Sequence, residues 1–238
     1  MASGVSDLTG ALQLKRKSAA RKRFRRLMVL LLIVLSVIAL TLVVWFSPLF
    51  VTRSVKVRDN SLLTEEQVVA VAQVPMGTPL ARVDLNAIAD NVLTLGMVKE
   101  VTVGRSWPSS ISIRLQERVM VYQLEDGGSF RWVDEEGTIF HQTNERSDGF
   151  IVHAASEDHR MLADVATVVL ALPEDLAVQV TQIVASSVDQ IILSFDNGKQ
   201  VIWGSADESD LKAQVLPHLL PLEGTYIDIS SPGNPAIR

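Results

Sequence analysis

From Leu27 to Phe46 the chain reads LMVLLLIVLSVIALTLVVWF, twenty positions without one charged side chain. The run is too long and too uniformly apolar for an amphipathic helix of a soluble domain. As an α-helix it extends about 30 Å, the thickness of a bilayer's hydrocarbon core. Each Leu, Ile or Val favours insertion by about 0.3–0.6 kcal/mol, whereas one central Arg or Asp costs about 3 kcal/mol. The stretch therefore predicts a membrane-spanning helix over residues 27–46, and every other segment is read by the side of the membrane it occupies.

The flanks predict the orientation. Lys15, Arg16, Lys17, Arg21, Lys22, Arg23, Arg25 and Arg26 precede the span, and the nearest cations after it are Arg53 and Lys56. Positive charge is retained on the cytoplasmic side, so residues 1–26 are expected inside, with Arg21, Lys22, Arg23, Arg25 and Arg26 as the orienting cluster. A cleaved signal peptide has an apolar core of about 7–15 residues and a small-x-small site, and Trp45-Phe46-Ser47-Pro48-Leu49 offers none. The first 26 residues carry eight basic and one acidic side chain, leaving 14 basic against 26 acidic in the remainder. An outer part so acidic is a poor nucleic-acid binder, and the basic tail suits anionic inner-leaflet lipid. With no cysteine, disulfides, thiol nucleophiles and Cys zinc sites are excluded. Met1 to Ala20 shows no sustained period and is expected to be a mobile tail.

Beyond Pro48, Val51, Val55 and Val57 share one phase of a strand. Thr64-Glu65-Glu66-Gln67 has the spacing of a capping box, followed by Val68, Val71 and Ala72 on one helical face. Asp84 is placed to cap a second helix bearing Leu85, Ile88, Ala89, Val92 and Leu93, closed by Gly96. Val98 to Val103 alternates, Trp107-Pro108-Ser109-Ser110 turns with Trp107 as a lid over a small core, and Ile111, Ile113 and Leu115 alternate again. The order is strand, helix, helix, strand, strand.

From Val119 the pattern becomes mainly β. Val119, Val121 and Leu124 suggest a strand, Asp126-Gly127-Gly128 a turn, and Phe130–Val133 and Thr138–Phe140 strands joined by a tight turn at 134–137, with Phe150–Val152 as a further strand. Glu157 to Leu172 predicts a helix before Pro173. Ile191, Leu193 and Phe195, then Asn197-Gly198, then Val201 and Trp203 predict a hairpin with a type I′ turn. Ser205-x-x-Glu208 has capping-box spacing before a Pro-interrupted helix at about 207–220, and Thr225–Ser230 is the last strand.

Five local patterns occur in order: Arg105-x-Trp107-Pro108-Ser109 with Ile111; Glu117-Arg118; Trp132-Val133-Asp134-x-x-Gly137-x-x-Phe140; Ile202-Trp203-Gly204-Ser205 with Lys212; and Tyr226-Ile227-Asp228-Ile229 before Pro232. Behind a basic tail and a single span, they resemble the FtsQ (DivIB) family of bacterial cell-division proteins. The resemblance implies an α+β architecture. One transmembrane helix would be followed by a β-α-α-β-β polypeptide-transport-associated (POTRA) domain over residues 50–118. A second, mainly antiparallel β domain with flanking helices would occupy residues 119–238. Glu117-Arg118 reads either as a salt bridge or as the seam between the two.

The same resemblance implies a divisome scaffold, at the septum in the cell membrane, that binds FtsB (DivIC) and FtsL and through them controls septal peptidoglycan synthesis. The means would be pairing of a partner segment with an exposed sheet edge at 225–231, with Tyr226, Ile229 and Ser231 as candidate partner-binding residues; Tyr226 and Ile229 read equally as core-facing. Arg238 follows soon after Ser231-Pro232-Gly233-Asn234-Pro235, a shorter tail than relatives carry, so the binding strand is expected to be shorter or shifted. No catalytic, cofactor-binding or metal residues are assigned. His141, His153, His159 and His218 never adopt ligand spacing, and no nucleophile elbow or phosphate loop occurs. Neither nucleic acid nor a small-molecule substrate is expected. The competing readings are a POTRA-bearing receptor for passing polypeptides and a membrane-anchored wall hydrolase.

Overall fold

The computed structural model describes residues 5–46 and 50–238, with side chains described from Phe24 onward except at 44 and 46. Helix α1 (Val5–Phe46) contains the segment Phe24–Val43, long and apolar enough to cross a membrane. It also continues N-terminally through the basic segment, where a mobile tail is expected from the sequence. That segment is rich in Ala, Leu, Lys and Arg, which are good helix formers, and no proline interrupts it. Residues 1–4, the side chains of Arg21, Lys22 and Arg23, and residues 47–49 lie outside the description.

Packing separates two compact units. One comprises the residues up to Arg58 with Val68–Asn91 and Thr102–Arg114; the other comprises Asp59–Gln67, Val92–Val101 and Leu115–Arg238. After α1 come β1 (Ser54–Arg58), α2 (Glu65–Ala72), a 3-10 turn (Leu80–Arg82), α3 (Leu85–Leu93), β2 (Val98–Ser106) and β3 (Ser110–Glu117). The strands form a three-stranded sheet in the order β1-β3-β2, with β1 parallel to β3 from Ser54 against Ser110 to Arg58 against Arg114.

Both helix starts use the caps that their sequences offer. The Thr64 amide donates to Gln67 Oε1 at 2.9 Å and the Gln67 amide to Thr64 Oγ1 at 3.3 Å, a reciprocal capping box. Asp84 Oδ1 accepts from the amides of Asn86 and Ala87. Val68, Ala72, Ile88 and Val92 are buried, as are Ile111, Ile113 and Leu115 on β3. Leu93, expected on the apolar stripe, is exposed, and so is Trp107. Trp107 is no lid: its ring stands edge-on to Phe50 with centroids 5.6 Å apart.

Glu117 and Arg118 do not pair with each other. Glu117 accepts backbone hydrogen bonds from Ser61, Leu62 and Leu63 at 2.9, 2.6 and 2.9 Å. Arg118 pairs with Asp134 and Glu136.

The remaining elements are β4 (Tyr122–Asp126), β5 (Ser129–Val133), β6 (Ile139–Thr143), β7 (Phe150–Ala154), α4 (His159–Ala171), α5 (Glu174–Ala177), β8 (Val180–Ser187), β9 (Gln190–Phe195), β10 (Gln200–Gly204), α6 (Ser209–Leu219), β11 (Tyr226–Asp228) and β12 (Ala236–Ile237). They build one nine-stranded sheet in the order β12-β11-β10-β9-β8-β7-β4-β5-β6. Most neighbours are antiparallel, but β4–β7, β7–β8 and β10–β11 are parallel. Two of the parallel pairs follow helical crossovers, α4 with α5 between β7 and β8, and α6 between β10 and β11. The core joins Met161, Leu162, Val165 and Val169 of α4 and Leu216 of α6 to Ile183, Leu193, Val201, Trp203 and Ile227 of the sheet.

Three local expectations give way. Val119 is exposed, and the first strand begins at Tyr122, whose hydroxyl donates to Leu162 O at 2.9 Å. The β9–β10 turn is not type I′, because Gly198 alone takes positive φ there. The Gly198 amide bonds Phe195 O at 3.0 Å and the Phe195 amide bonds Lys199 O at 2.9 Å, a type I turn closed by a glycine bulge. Ser205-x-x-Glu208 makes no capping box, since Glu208 takes φ 54° without a capping bond and Ser205 Oγ turns to Asp207.

Candidate partner-binding edge

The segment singled out from the sequence, Thr225–Ser231, lies one strand in from an end of the sheet. Its position is set by α6. Trp203, fully buried on β10, donates from Nε1 to Ser209 Oγ at 3.0 Å, fixing the first turn of the helix. Lys212, 1% exposed, donates to Ser205 O at 2.8 Å, and burial lowers its pKa against the opposing pull of Asp207 and Glu208. At the other end, Lys199 donates to the carbonyls of Leu220 and Leu222, satisfying acceptors beyond the last turn of α6. The chain then enters β11 alongside β10, with Gln200 against Tyr226 and Ile202 against Asp228. Gly204 has φ +81°, and a Cβ there would meet Ser230 Cβ at 2.8 Å, so the end of β10 and the exit of β11 are in direct contact.

Asp228 ends the strand by accepting from the Ser230 amide at 3.0 Å and hydroxyl at 2.7 Å. A turn closed by the Asn234 amide on Ser231 O at 3.0 Å reverses the chain into β12. β12 runs antiparallel to β11, Ile227 against Ile237 and Asp228 against Ala236. The expected exposed edge at 225–231 is therefore occupied by this protein's own residues 236–238. The backbone groups at the sheet's margin belong to β12.

The register says which groups those are. Tyr226 and Arg238 exchange hydrogen bonds, 3.0 Å from the Tyr226 amide and 2.9 Å from the Arg238 amide. In an antiparallel ladder bonded pairs alternate with non-bonded pairs, so the Ile227–Ile237 pair exchanges none. The N–H and C=O of Ile237 consequently point outward, away from β11.

Alternation sorts the side chains. Val201, Trp203, Ile227 and Ile229 are buried on the helix-covered face. Ile202, Tyr226, Asp228, Ala236 and Arg238 line a groove on the other. Of the three residues named from sequence, Tyr226 is 51% exposed in this groove, Ser231 is exposed, and Ile229 is fully buried with its amide bonded to Ile202 O. Ile229 has no side-chain surface to offer a partner. Sequence reasoning missed Ala236 to Arg238, since a two-residue strand carries no period.

The other margin of the sheet is β6. A Cβ on Gly96 would stand 3.0 Å from Phe140 O, so the 96 turn lies against the backbone of that strand. Arg25 and Arg26 of the orienting cluster are exposed at the start of the apolar segment. The histidines do not converge: His141 stacks edge-on with Trp132 at 4.6 Å, and His153 lies 3.8 Å from Glu125. Among the described residues no group of three or more His, Cys, Asp or Glu is arranged to hold a metal ion.

Residues 50–118 match the domain family described as "POTRA domain, FtsQ-type", and residues 120–230 the one described as "Cell division protein FtsQ/DivIB, C-terminal". The cell division protein FtsQ of Mycolicibacterium smegmatis is 34% identical over 230 residues, spanning 93% of this chain and 68% of that protein. That of Mycobacteroides abscessus is 33% identical over 230 residues, spanning 93% and 73%. The solved major extracytoplasmic domain of the cell division protein DivIB from Geobacillus stearothermophilus covers 44% of this chain and 89% of its own, at 18% identity and a TM-score of 0.35.

Proposed function

This chain belongs to the FtsQ/DivIB family of cell-division proteins, and from that premise we propose that it is a non-catalytic scaffold of the divisome that works by lending a sheet edge to its partners. The partners are homologues of FtsB (DivIC) and FtsL, engaged together with other division membrane proteins and, through them, septal peptidoglycan synthesis. Its basic N-terminal segment lies in the cytoplasm and its two sheets lie outside, at the septum; the charge asymmetry about α1 supports this orientation.

One observation carries the reading: Ile237 turns its N–H and C=O away from β11 at the end of a nine-stranded sheet, with no backbone partner among the described residues, beside a groove formed by Tyr226, Ile202 and Arg238. A partner strand laid against β12 gains backbone hydrogen bonds from the edge, and its alternate side chains enter the groove, which supplies selectivity. The margin at β6 is less open, because the 96 turn lies against it.

The test is photo-crosslinking in dividing cells, with a benzoylphenylalanine placed at Tyr226 or Ala236 of the full chain. Adducts with FtsB or FtsL homologues are expected from both positions and not from Thr181 on β8. Adducts from Thr181 alone would overturn the assignment. The chain lacks cysteine, so maleimide labelling of Ser6→Cys and Ser230→Cys in intact cells checks the orientation; only the second is expected to react with an impermeant reagent.

A further inference from the structure

Trp107 occupies the tip of the β2–β3 turn with half its surface in solvent. An amphipathic aromatic at such a tip suits a partner that is apolar below and polar above. Its neighbour Phe50 sits four residues past Phe46, the last residue of α1. At roughly 3.3–3.6 Å per residue, Phe50 lies no more than about 14 Å from the helix end. The headgroup layer on each side of a bilayer is about 5–8 Å thick, so this aromatic pair is within reach of it. The backbone of α1 also comes close to the 3-10 turn Leu80–Arg82 in the same unit.

Three chain segments meet here and are held together. The Thr52 amide donates to Thr78 O and the Gly77 amide to Thr52 O, each at 2.8 Å, while the Arg53 amide donates to Ser109 O at 2.8 Å. Arg105 reaches Leu80 O at 2.6 Å and Val83 O at 2.8 Å, tying the end of β2 to the 3-10 turn. Phe50 and Trp107 are therefore held on a fixed frame, and Met76 and Arg53 are exposed on the segments so joined. Trp at the interface and a cation reaching phosphate are the chemistry of a membrane-surface anchor. Trp45, exposed on the last turns of α1, lies two residues beyond the apolar segment Phe24–Val43.

We propose that this surface is a foot seated in the phospholipid headgroup layer beside the outer end of α1, so that the three-stranded sheet rests on the membrane. The proposal rests on α1 crossing the membrane, and its test separates the two claims. The full chain is reconstituted in vesicles of phosphatidylcholine and phosphatidylglycerol, with or without bromine on the upper acyl carbons, and tryptophan emission is compared. In W107F, loss of Trp45 emission to brominated lipid reports the span. In W45F, brominated lipid is expected to remove the Trp107 emission, and W45F/W107F is expected to show no loss, because Trp203 is fully buried and Trp132 is largely so. Quenching in W107F without quenching in W45F leaves the span standing and overturns the foot. A nitroxide on Trp107→Cys gives a second readout: preferential collision with oxygen over a water-soluble nickel complex is expected, and the reverse preference would also overturn it.

Discussion

Tyr226 and Arg238 are joined by two backbone hydrogen bonds, at 3.0 and 2.9 Å, so β11 is an interior strand whose ladder is complete within the chain. This separates Tyr226, with its side chain in an outward groove, from Ile229, fully buried two residues past Ile227. Tyr226→Ala is expected to change unfolding free energy by no more than about 0.5 kcal/mol and to weaken partner capture about tenfold, the effect of a modest hot spot. Ile229→Ala is expected to cost about 2–5 kcal/mol in stability through an unfilled cavity. Urea unfolding of the full chain in detergent, set beside capture assays, checks both.

Gly137 closes the β5–β6 turn with φ +80°, where the Asp134 carboxylate accepts from the amides of Glu136 and Thr138. A Cβ there would stand 2.7 Å from His159 O and 2.5 Å from the amide nitrogen of Ala163, both backbone atoms of α4. Gly137→Ala combines a left-handed backbone penalty with overpacking, for an expected loss of about 2–4 kcal/mol. Gly198→Ala bears only the first, since no atom lies within 4 Å of its Cβ position, and is expected to cost about 1–2 kcal/mol. Equal losses would contradict the close approach.

Glu117 holds the 61–63 turn through three backbone donors. A carboxylate accepts all three and carries the charge that strengthens them, whereas an amide replaces one acceptor oxygen with a donor. Glu117→Gln is expected to destabilise the chain by about 1.5–3 kcal/mol. Hydrogen exchange at residues 61–63 should rise in the variant, and unchanged protection would contradict this role.

Lys99 donates to Glu135 at 2.7 Å and lies 3.1 Å from Glu136. The hydrogen bond from Lys99 holds the Glu136 carboxyl below its usual value of 4.5, and the two glutamates raise Lys99 above its usual 10.5. The glutamate's share of stability is complete above pH 4.5 and is lost as pH falls through its depressed value. The lysine's share is complete below pH 10.5 and is lost as pH rises through its raised value. Lys99→Met is therefore expected to flatten both limbs of the stability profile and, because the groups are near the surface, to do so less in high salt. Unchanged limbs in a pH series of unfolding midpoints would remove the pair from the account.

The elements written plainly in the sequence are those whose side chains repeat with one period or whose caps are local. Thr64 with Gln67, Asp84, and the Ile111-Ile113-Leu115 alternation needed no tertiary information, and the α4 stripe from Met161 to Val169 is equally direct. β8 was hidden because its ladder with β9 shifts register between Val180 and Gln182 and again between Ala185 and Ser187. Those bulges break the period of two. The parallel ladders were hidden because pairing order is set by helical crossovers and not by residue alternation. At the candidate edge the sequence leaves Tyr226 open to either face, β12 has too few residues to announce itself, and its covering of β11 moves the free edge to Ile237.

The central claim is tested most directly at Ile237. A proline there removes the one amide that faces outward and leaves the Arg238 amide bonded to Tyr226, as an edge strand tolerates. The full-length Ile237→Pro chain is expected to be inserted and folded as before by circular dichroism, yet to lose capture of FtsB and FtsL homologues from detergent-solubilised membranes. Capture undiminished in a folded Ile237→Pro chain would contradict strand pairing at this end of the sheet.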